Sequence, residues 1–256
     1  MGAGHVLNTI DRTGKVLDLF TTERAEWGVT EIAAALRLPK STTFDVVASL
    51  ADIGLLQQTS DDRYRLGWRV LLISRRLLNA TCFDAQTHRY VAELANQLAA
   101  VVTIGVWDGQ GVVCIAHASV NRTEPILGDG THISGTTSAL GKLLMAQLPW
   151  HKVQERIDRY GLPILTQNSV SDIKVLRAQL VSARRNDFAT EHGETLGGWS
   201  CIAVGIYQNE RRMVAALSIS MPTERMQYRF EEYIRIARRT SRAVLEQGVS
   251  SRVAPA

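Results

Sequence analysis

VTEIAAALRLPKSTTFDVVASLADIGLLQQTSDDRYRLG, residues 29–67, decides how the rest of the chain is read. Thr30 can cap a short helix, TEIAAALR, in which Ile32, Ala33 and Leu36 share one face. Leu38-Pro39 breaks it, because the residue before proline is pushed out of α and proline itself suits the first turn of a new helix. The second helix, KSTTFDVVASLADI, buries Thr43, Val46, Val47 and Leu50 and stops at Gly54. Two helices joined by a turn of about three to four residues form a helix-turn-helix, whose second helix enters the major groove of DNA. LLQQ, an acidic turn at Asp61 and Asp62, and RYRL then read as a two-stranded hairpin, which makes the unit a winged helix.

Working outward, IDRTGKVLDLF places Ile10, Val16, Leu17 and Phe20 at near-helical spacing and predicts the first helix of the same domain. Downstream, GWRVLLISRRLLNA predicts a linker helix with Val70, Leu71, Leu77 and Leu78 on one side. The expected division is a winged DNA-binding domain at 1–66, the linker helix at 67–80 and a second domain at 81–256. That second domain reads as a helix (HRYVAELANQLAA), strands VVTIGVW and VVCIA around Asp108-Gly109, and a third strand near EPILG. A Gly/Thr/Ser-rich loop, GDGTHISGTTS, precedes the helix ALGKLLMAQL. Helices near 150–159 and 171–186, strands SCIAVGIYQ and MVAALSIS around a turn at NERR, and one long helix from Glu224 complete the pattern. The fold class is α+β, with an antiparallel sheet and helices packed on it.

Composition bounds the function. The 256 residues are 45% apolar and 21% charged, an ordinary globular mixture. The net charge of +4 is uneven: residues 1–66 hold seven Lys/Arg against nine Asp/Glu, and the remainder holds twenty-two against sixteen. Bulk charge therefore does not point to DNA; the motif does, and its basic footprint comes from a few placed side chains. The three cysteines, Cys82, Cys114 and Cys201, are widely spaced and form no CxxC pair, which argues against a disulfide framework or a structural zinc site. The histidines His117, His132, His151 and His192 lack metal-ligand spacing, so neither a metal nor a cofactor is expected. Without a targeting leader or a membrane-length apolar run, the chain reads as cytoplasmic with no membrane partner.

The chain resembles the IclR family of bacterial transcriptional regulators over nearly its whole length. TEIAAALRLPKSTTFDVVASLADIGLL, RYRLG, SALGKLL, GLPILTQNSV, CIAVGIY and AALSIS carry the resemblance in order. It implies transcriptional regulation, repression included, by a winged helix-turn-helix joined to a GAF-like domain that binds a small-molecule effector. It also implies a homodimer or homotetramer on double-stranded DNA, reading an inverted-repeat operator. The reading helix departs from the family: where relatives commonly have an apolar residue and His-Arg after Lys-Ser-Thr, this chain has Thr43, Phe44 and Asp45.

The expected DNA contacts are Thr30, Lys40, Ser41, Thr42, Phe44 and Asp45, with Arg63 and Arg65 on the wing. Ser and Thr can bond phosphate or bases, Phe can touch a thymine methyl, and Asp can accept from cytosine N4. Asp45 could equally favour only the helix N-terminal half, and Phe44 could pack on the wing. In the second domain, the resemblance carries Ala139, Leu140, Glu191, Cys201, Ser218 and Ser220 onto effector-contacting positions. The residues agree: SGTTS ends at a helix N-terminus, where the N–H groups of Ala139, Leu140 and Gly141 suit a carboxylate. Ser218 and Ser220 alternate on one strand face, near Cys201 on the preceding strand. A small organic acid is the expected effector, and Glu191 asks for a donor at its far end. Lys142 is expected at solvent or on an acidic partner, and Cys114 in the core. The alternative is an enzyme with Cys201 as nucleophile and His192 or Glu191 as base, although no nucleophile motif surrounds Cys201.

Overall fold

The computed structural model describes residues 8–250 apart from 82, 84, 110, 121–129 and 209–211. The chain divides into two compact units, Met1–Ala80 and Thr81–Ala256.

In the first unit, α1 (Asn8–Leu17) precedes β1 (Trp27–Gly28), α2 (Val29–Leu36) and α3 (Lys40–Asp52). The hairpin β2 (Leu56–Gln58) and β3 (Arg63–Leu66) follows, then α4 (Arg69–Ala80). The core forms around Val16, Trp27, Ile32, Val47 and Leu56, and the stripe Thr43, Val46, Val47 and Leu50 faces it as expected. Ile10 does not: it lies six residues before Val16, about 120° round the helix, and is 61% exposed. The wing has a third strand that the sequence did not disclose, because β1 is only two residues long and pairs Trp27 with Tyr64 and Gly28 with Arg63. That pairing also moves the helix start. Gly28, extended at φ −87° and ψ 152°, is the N-cap of α2, and Thr30 sits inside the first turn rather than capping it. Gly28 offers no side chain, so the cap is one-sided: Glu31 Oε2 accepts the Gly28 N–H at 2.8 Å. Between α2 and α3, Arg37 is left-handed at φ 53° and Leu38 N–H donates to the Ala33 carbonyl at 2.9 Å. Pro39 is then the N-cap of α3 and Lys40 its first helical residue. The linker helix α4 starts two residues later than Gly67. Arg69 Nη1 donates to the Ile53 carbonyl at 2.7 Å, while Leu71, Leu72, Ile73 and Leu77 stay exposed.

In the second unit, α5 (Ala85–Leu98) leads into β4 (Val101–Trp107), β5 (Val112–Ala118) and β6 (His132–Ile133). Next come α6 (Ala139–Met145), α7 (Trp150–Tyr160) and α8 (Ile173–Asn186). The chain ends in β7 (Phe188–His192), β8 (Trp199–Gln208), β9 (Arg212–Pro222), α9 (Thr223–Tyr228) and α10 (Phe230–Ser250). The six strands run β6-β5-β4-β9-β8-β7, antiparallel throughout. Ile104, Ile202, Leu217 and Ile219 face one core, which includes Val91 of α5 and Ala237 of α10. The alternate residues face α6 and α8, where Ala203 and Ala216 pack with Leu143 and Leu176. β7 was not expected, and the last helix breaks at Arg229 (φ −137°, ψ 37°) into α9 and α10. The strand expected near EPILG, most of the NERR turn and Cys82 lie outside the described residues.

One glycine sets how closely α6 can lie on the loop before it. A Cβ on Gly141 would collide with the backbone of Gly135, so only glycine lets the two segments touch. Gly141→Ala should destabilise the second unit by about 1–3 kcal/mol, the range for overpacking a filled core. An unchanged urea midpoint for that unit would show that the contact can open at no cost.

Candidate DNA-reading face and effector cavity

On α3, Lys40, Ser41, Phe44 and Asp45 are exposed, Thr42 is half-buried, and Thr43 is turned inward. Phe44 is 54% exposed, too open for a residue packed on the wing. Thr30 is exposed on α2. The two wing arginines differ. Arg65 is exposed and donates to Gln57 Oε1 across the hairpin at 3.3 Å. Arg63, expected on phosphate, is turned into the unit: Nη2 lies 2.7 Å from Glu31 Oε2 and 3.0 Å from the Glu26 carbonyl. Its strand pairs with β1, which brings Glu31 within reach and occupies the guanidinium. The turn beyond is acidic, with Asp61 and Asp62 exposed and Gln58 Nε2 donating to Asp62 Oδ1 at 3.0 Å. Sequence reasoning passed over Arg37, an exposed cation in the turn between α2 and α3; the signal was its place one residue past the first helix.

In the second unit, register gathers the expected effector residues on the α6 face of the sheet. Glu191 pairs with Cys201, Cys201 with Ser220, and Ser220 with Val101, forming one row across four strands. The next row is Ala203, Ser218, Thr103 and His117. Above them, α6 contributes Ala139 and Leu140, and a cavity of about 120 Å³ remains. Ser138, Thr195, Leu196 and Trp199 complete much of its wall. The sequence reading missed these and Thr103. Thr103 follows Val101 at strand spacing, and Ser138 stands three residues before Gly141 as a cap would, but nothing local marks the 193–199 loop as a wall.

Gly141, expected to hold the ligand, does not line the cavity. Its N–H donates to the N-cap Ser138 Oγ at 3.0 Å, and its Cα faces Gly135. The N–H groups of Ala139 and Leu140 are the first two of α6 and carry no partner among the described residues.

The loop after β7 forms a further part of the wall, its Thr195 hydroxyl donating to the Thr137 carbonyl before α6 at 3.1 Å. It turns back through Gly193 (φ 69°) and Gly198 (φ 79°), with Gly193 N–H donating to the Trp199 carbonyl at 2.7 Å. Glu191 Oε2 accepts the N–H of Glu194 at 2.8 Å and of Thr195 at 3.4 Å. Thr166 and Ser169, from the GLPILTQNSV stretch, donate their hydroxyls to the Gly193 and Glu194 carbonyls at 2.6 and 2.7 Å. Of the two places expected for Lys142, solvent or an acidic partner, the structure gives the second. The side chain is 1% exposed, its ammonium paired with Glu194 on the loop. Burial pushes Lys142 below its ordinary pKa and Glu194 above its own, and the pair opposes both shifts.

Cys201 Sγ lies 2.7 Å from Ser220 Oγ. Burial, then the neighbouring Glu191 carboxylate, pushes the thiol well above its usual range, so the nucleophilic thiolate is disfavoured. His192 follows Glu191 on β7 and so points to the other sheet face, where Nδ1 meets Ser200 Oγ at 3.2 Å. The geometry supplies no Cys–His pair. Among the described residues no three His, Cys, Asp or Glu side chains cluster to hold a metal, and no helix is long and apolar enough to cross a membrane.

A winged helix-turn-helix followed in the chain by a sheet domain with a cavity is the build of a regulator that joins DNA reading to ligand binding. The pattern of the bacterial transcriptional regulator IclR C-terminal domain matches residues 77–246, and that of the IclR helix-turn-helix domain matches residues 9–60. The chain belongs to the IclR family of transcriptional regulators and is not an enzyme. The HTH-type transcriptional regulator XynR of Escherichia coli K12 is 24% identical over 232 residues, 86% of this chain and 88% of its own. The transcriptional repressor IclR of the same organism is 25% identical over 228 residues, 86% and 82% of the two chains. Among solved structures, an IclR-type regulator from Silicibacter sp. TM1040 matches at TM-score 0.83 and 21% identity, covering 94% of this chain and 96% of that one. An IclR homolog from Microbacterium hydrocarbonoxydans, complexed with 4-hydroxybenzoate, matches at TM-score 0.75 and 21% identity, covering 95% and 100%. At such identities the structural likeness is one of fold.

Lys142→Met would strand the Glu194 charge and should cost about 3–5 kcal/mol at neutral pH. With its folded pKa raised, Glu194 makes that loss largest above the folded pKa. The loss shrinks as pH falls through that value and disappears below the ordinary carboxylate range. Adding Glu194→Gln should recover most of it. A loss that does not change with pH would mean that Glu194 is not the stranded charge.

Proposed function

We propose that this regulator binds an inverted-repeat operator as a homodimer or a tetramer built from dimers, with operator affinity set by a small organic acid in the second unit. The observation that carries the effector reading is a cavity of about 120 Å³ whose mostly apolar lining holds a few polar groups. The N–H groups of Ala139 and Leu140, without a partner among the described residues, are favourable to a carboxylate. Glu191, Cys201 and Ser220, also in the lining, suit a hydroxyl, amide or amine, and Glu191 repels a second carboxylate. The cavity's volume is near that of an apolar cavity of about 150 Å³ that accommodates benzene, so it suits a compact acid. The 4-hydroxybenzoate held by the Microbacterium relative falls in that class.

Lys40, Ser41, Thr42, Phe44 and Asp45 on α3, with Thr30, Arg37 and Arg65, form the reading surface; Arg63 instead braces it. The exposed Leu71, Leu72, Ile73 and Leu77 of α4 have no cover within their own unit and suit a second copy. Two-fold pairing of reading helices matches an inverted repeat.

Two experiments test these parts separately. Ser41→Ala with Thr42→Ala should abolish retardation of the operator while leaving the far-ultraviolet circular dichroism and unfolding midpoint intact. Normal retardation by the double variant would place base reading elsewhere. For the cavity, a thermal-shift screen of small organic acids identifies a binder, since a ligand of the folded state raises the melting temperature. Calorimetry with that acid should then show Ser218→Ala and Ser220→Ala each losing about 1–3 kcal/mol of affinity, the cost of a buried polar group left unpaired. Equal affinity in both variants would move the site, and tight binding of uncharged ligands alone would sink the acid.

A further inference from the structure

The second polar row of the cavity face carries more than Ser218. Thr103 on β4 is paired in register with Ser218 on one side and His117 on the other. Thr103 lines the cavity at 2% exposure, and its Oγ1 lies 3.1 Å from His117 Nδ1. We propose that Thr103, oriented by His117, is a specificity-determining residue that reads a hydroxyl group on the bound acid. The inference rests on the cavity being the effector site.

The argument is one of valence. A threonine hydroxyl has one proton and two lone pairs, and a neutral imidazole can donate or accept at Nδ1 according to its tautomer. If Thr103 donates to Nδ1, its free lone pair accepts from the ligand. If Nδ1–H donates to Thr103, the threonine proton is free for the ligand. A ligand hydroxyl, both donor and acceptor, satisfies either state. Ser218, its cross-strand neighbour on the same face, offers a second hydroxyl within reach of the same group. A hydrocarbon at this place would leave the remaining donor or acceptor capacity of Thr103 unused, and a site built to bond a hydroxyl discriminates against an analogue without one.

The test uses full-length protein and matched probes: benzoate with 3- and 4-hydroxybenzoate, and propionate with lactate and 3-hydroxypropionate. Wild type should bind the hydroxy member of one set at least about tenfold more tightly than its parent acid. Thr103→Val, isosteric and at home in a strand, should lose that preference while keeping the parent's affinity. Thr103→Ser should retain it and shows that the strand tolerates substitution. His117→Leu should weaken the preference, and His117→Asn, which returns a polar atom near the Nδ1 position, should restore most of it. An unchanged preference in Thr103→Val overturns the proposal, as does a wild type that binds these acids without preferring the hydroxy members. If no probe binds wild type, the small-acid reading of the cavity falls first, and this inference falls with it.

Discussion

The cavity depends on an ion pair that water does not reach. Lys142 leaves α6 one turn after Ala139 and meets Glu194 on the glycine-bounded loop after β7, both side chains almost fully buried. Removing two such charges from water is costly, and their attraction seldom returns a large surplus. The pair therefore contributes position more than stability. It ties the helix that presents the Ala139 and Leu140 N–H groups to the loop that presents Thr195 and Leu196, so these two parts of the wall keep their places. The other ties are hydrogen bonds: Thr166 and Ser169 hold loop carbonyls, Glu191 holds loop N–H groups, and the Thr195 hydroxyl donates to the Thr137 carbonyl before α6. A loop so anchored encloses a small volume although little apolar surface covers it.

The reading unit is organised by a carboxylate as well. Glu31 receives the Gly28 N–H and both Arg24 and Arg63, each arginine at 2.7 Å, and Arg24 lies over the Trp27 ring at 3.4 Å. The Gly28 N–H is the foremost cause holding the Glu31 pKa below the usual carboxylate range. This hub joins β1, α2 and β3, and it withdraws cations from a winged segment, residues 1–66, that already has more acids than bases. Fewer free cations mean fewer displaced counterions on DNA, so a larger share of operator affinity has to come from base contacts and shape.

Much of this was legible before any coordinates. The 3.6-residue stripe of α3, the Leu-Pro break and the alternating strands carried local signals strong enough to survive packing. What escaped notice had a weak local signal or none. β1 is two residues whose extended state comes from β3, and that pairing moved the cap from Thr30 to Gly28. An acidic partner was open to Lys142, but which acid, and that the pair is buried, was not legible because Glu194 lies 52 positions away. Arg63 looked free for the same reason, its acid being 32 positions upstream. Ser218, Ser220 and Cys201 could be paired from strand alternation, but Thr103 and the 193–199 loop needed the register between distant strands. Gly141 was singled out as a backbone approach, and the approaching group proved to be Gly135, not a ligand.

The acid at Glu191 looks at first like an argument against an acidic ligand. Its hydrogen bonds change the sense of that charge. One carboxylate oxygen is occupied by the N–H groups of Glu194 and Thr195, so backbone dipoles compensate part of the charge and the side chain acts as a loop anchor. The remaining field still disfavours a second anion on the Glu191 side. The Ala139 and Leu140 N–H groups, without a partner among the described residues, would favour one. On the proposed reading the cavity therefore takes a monoacid, held by those N–H groups, and a diacid is disfavoured by the Glu191 field.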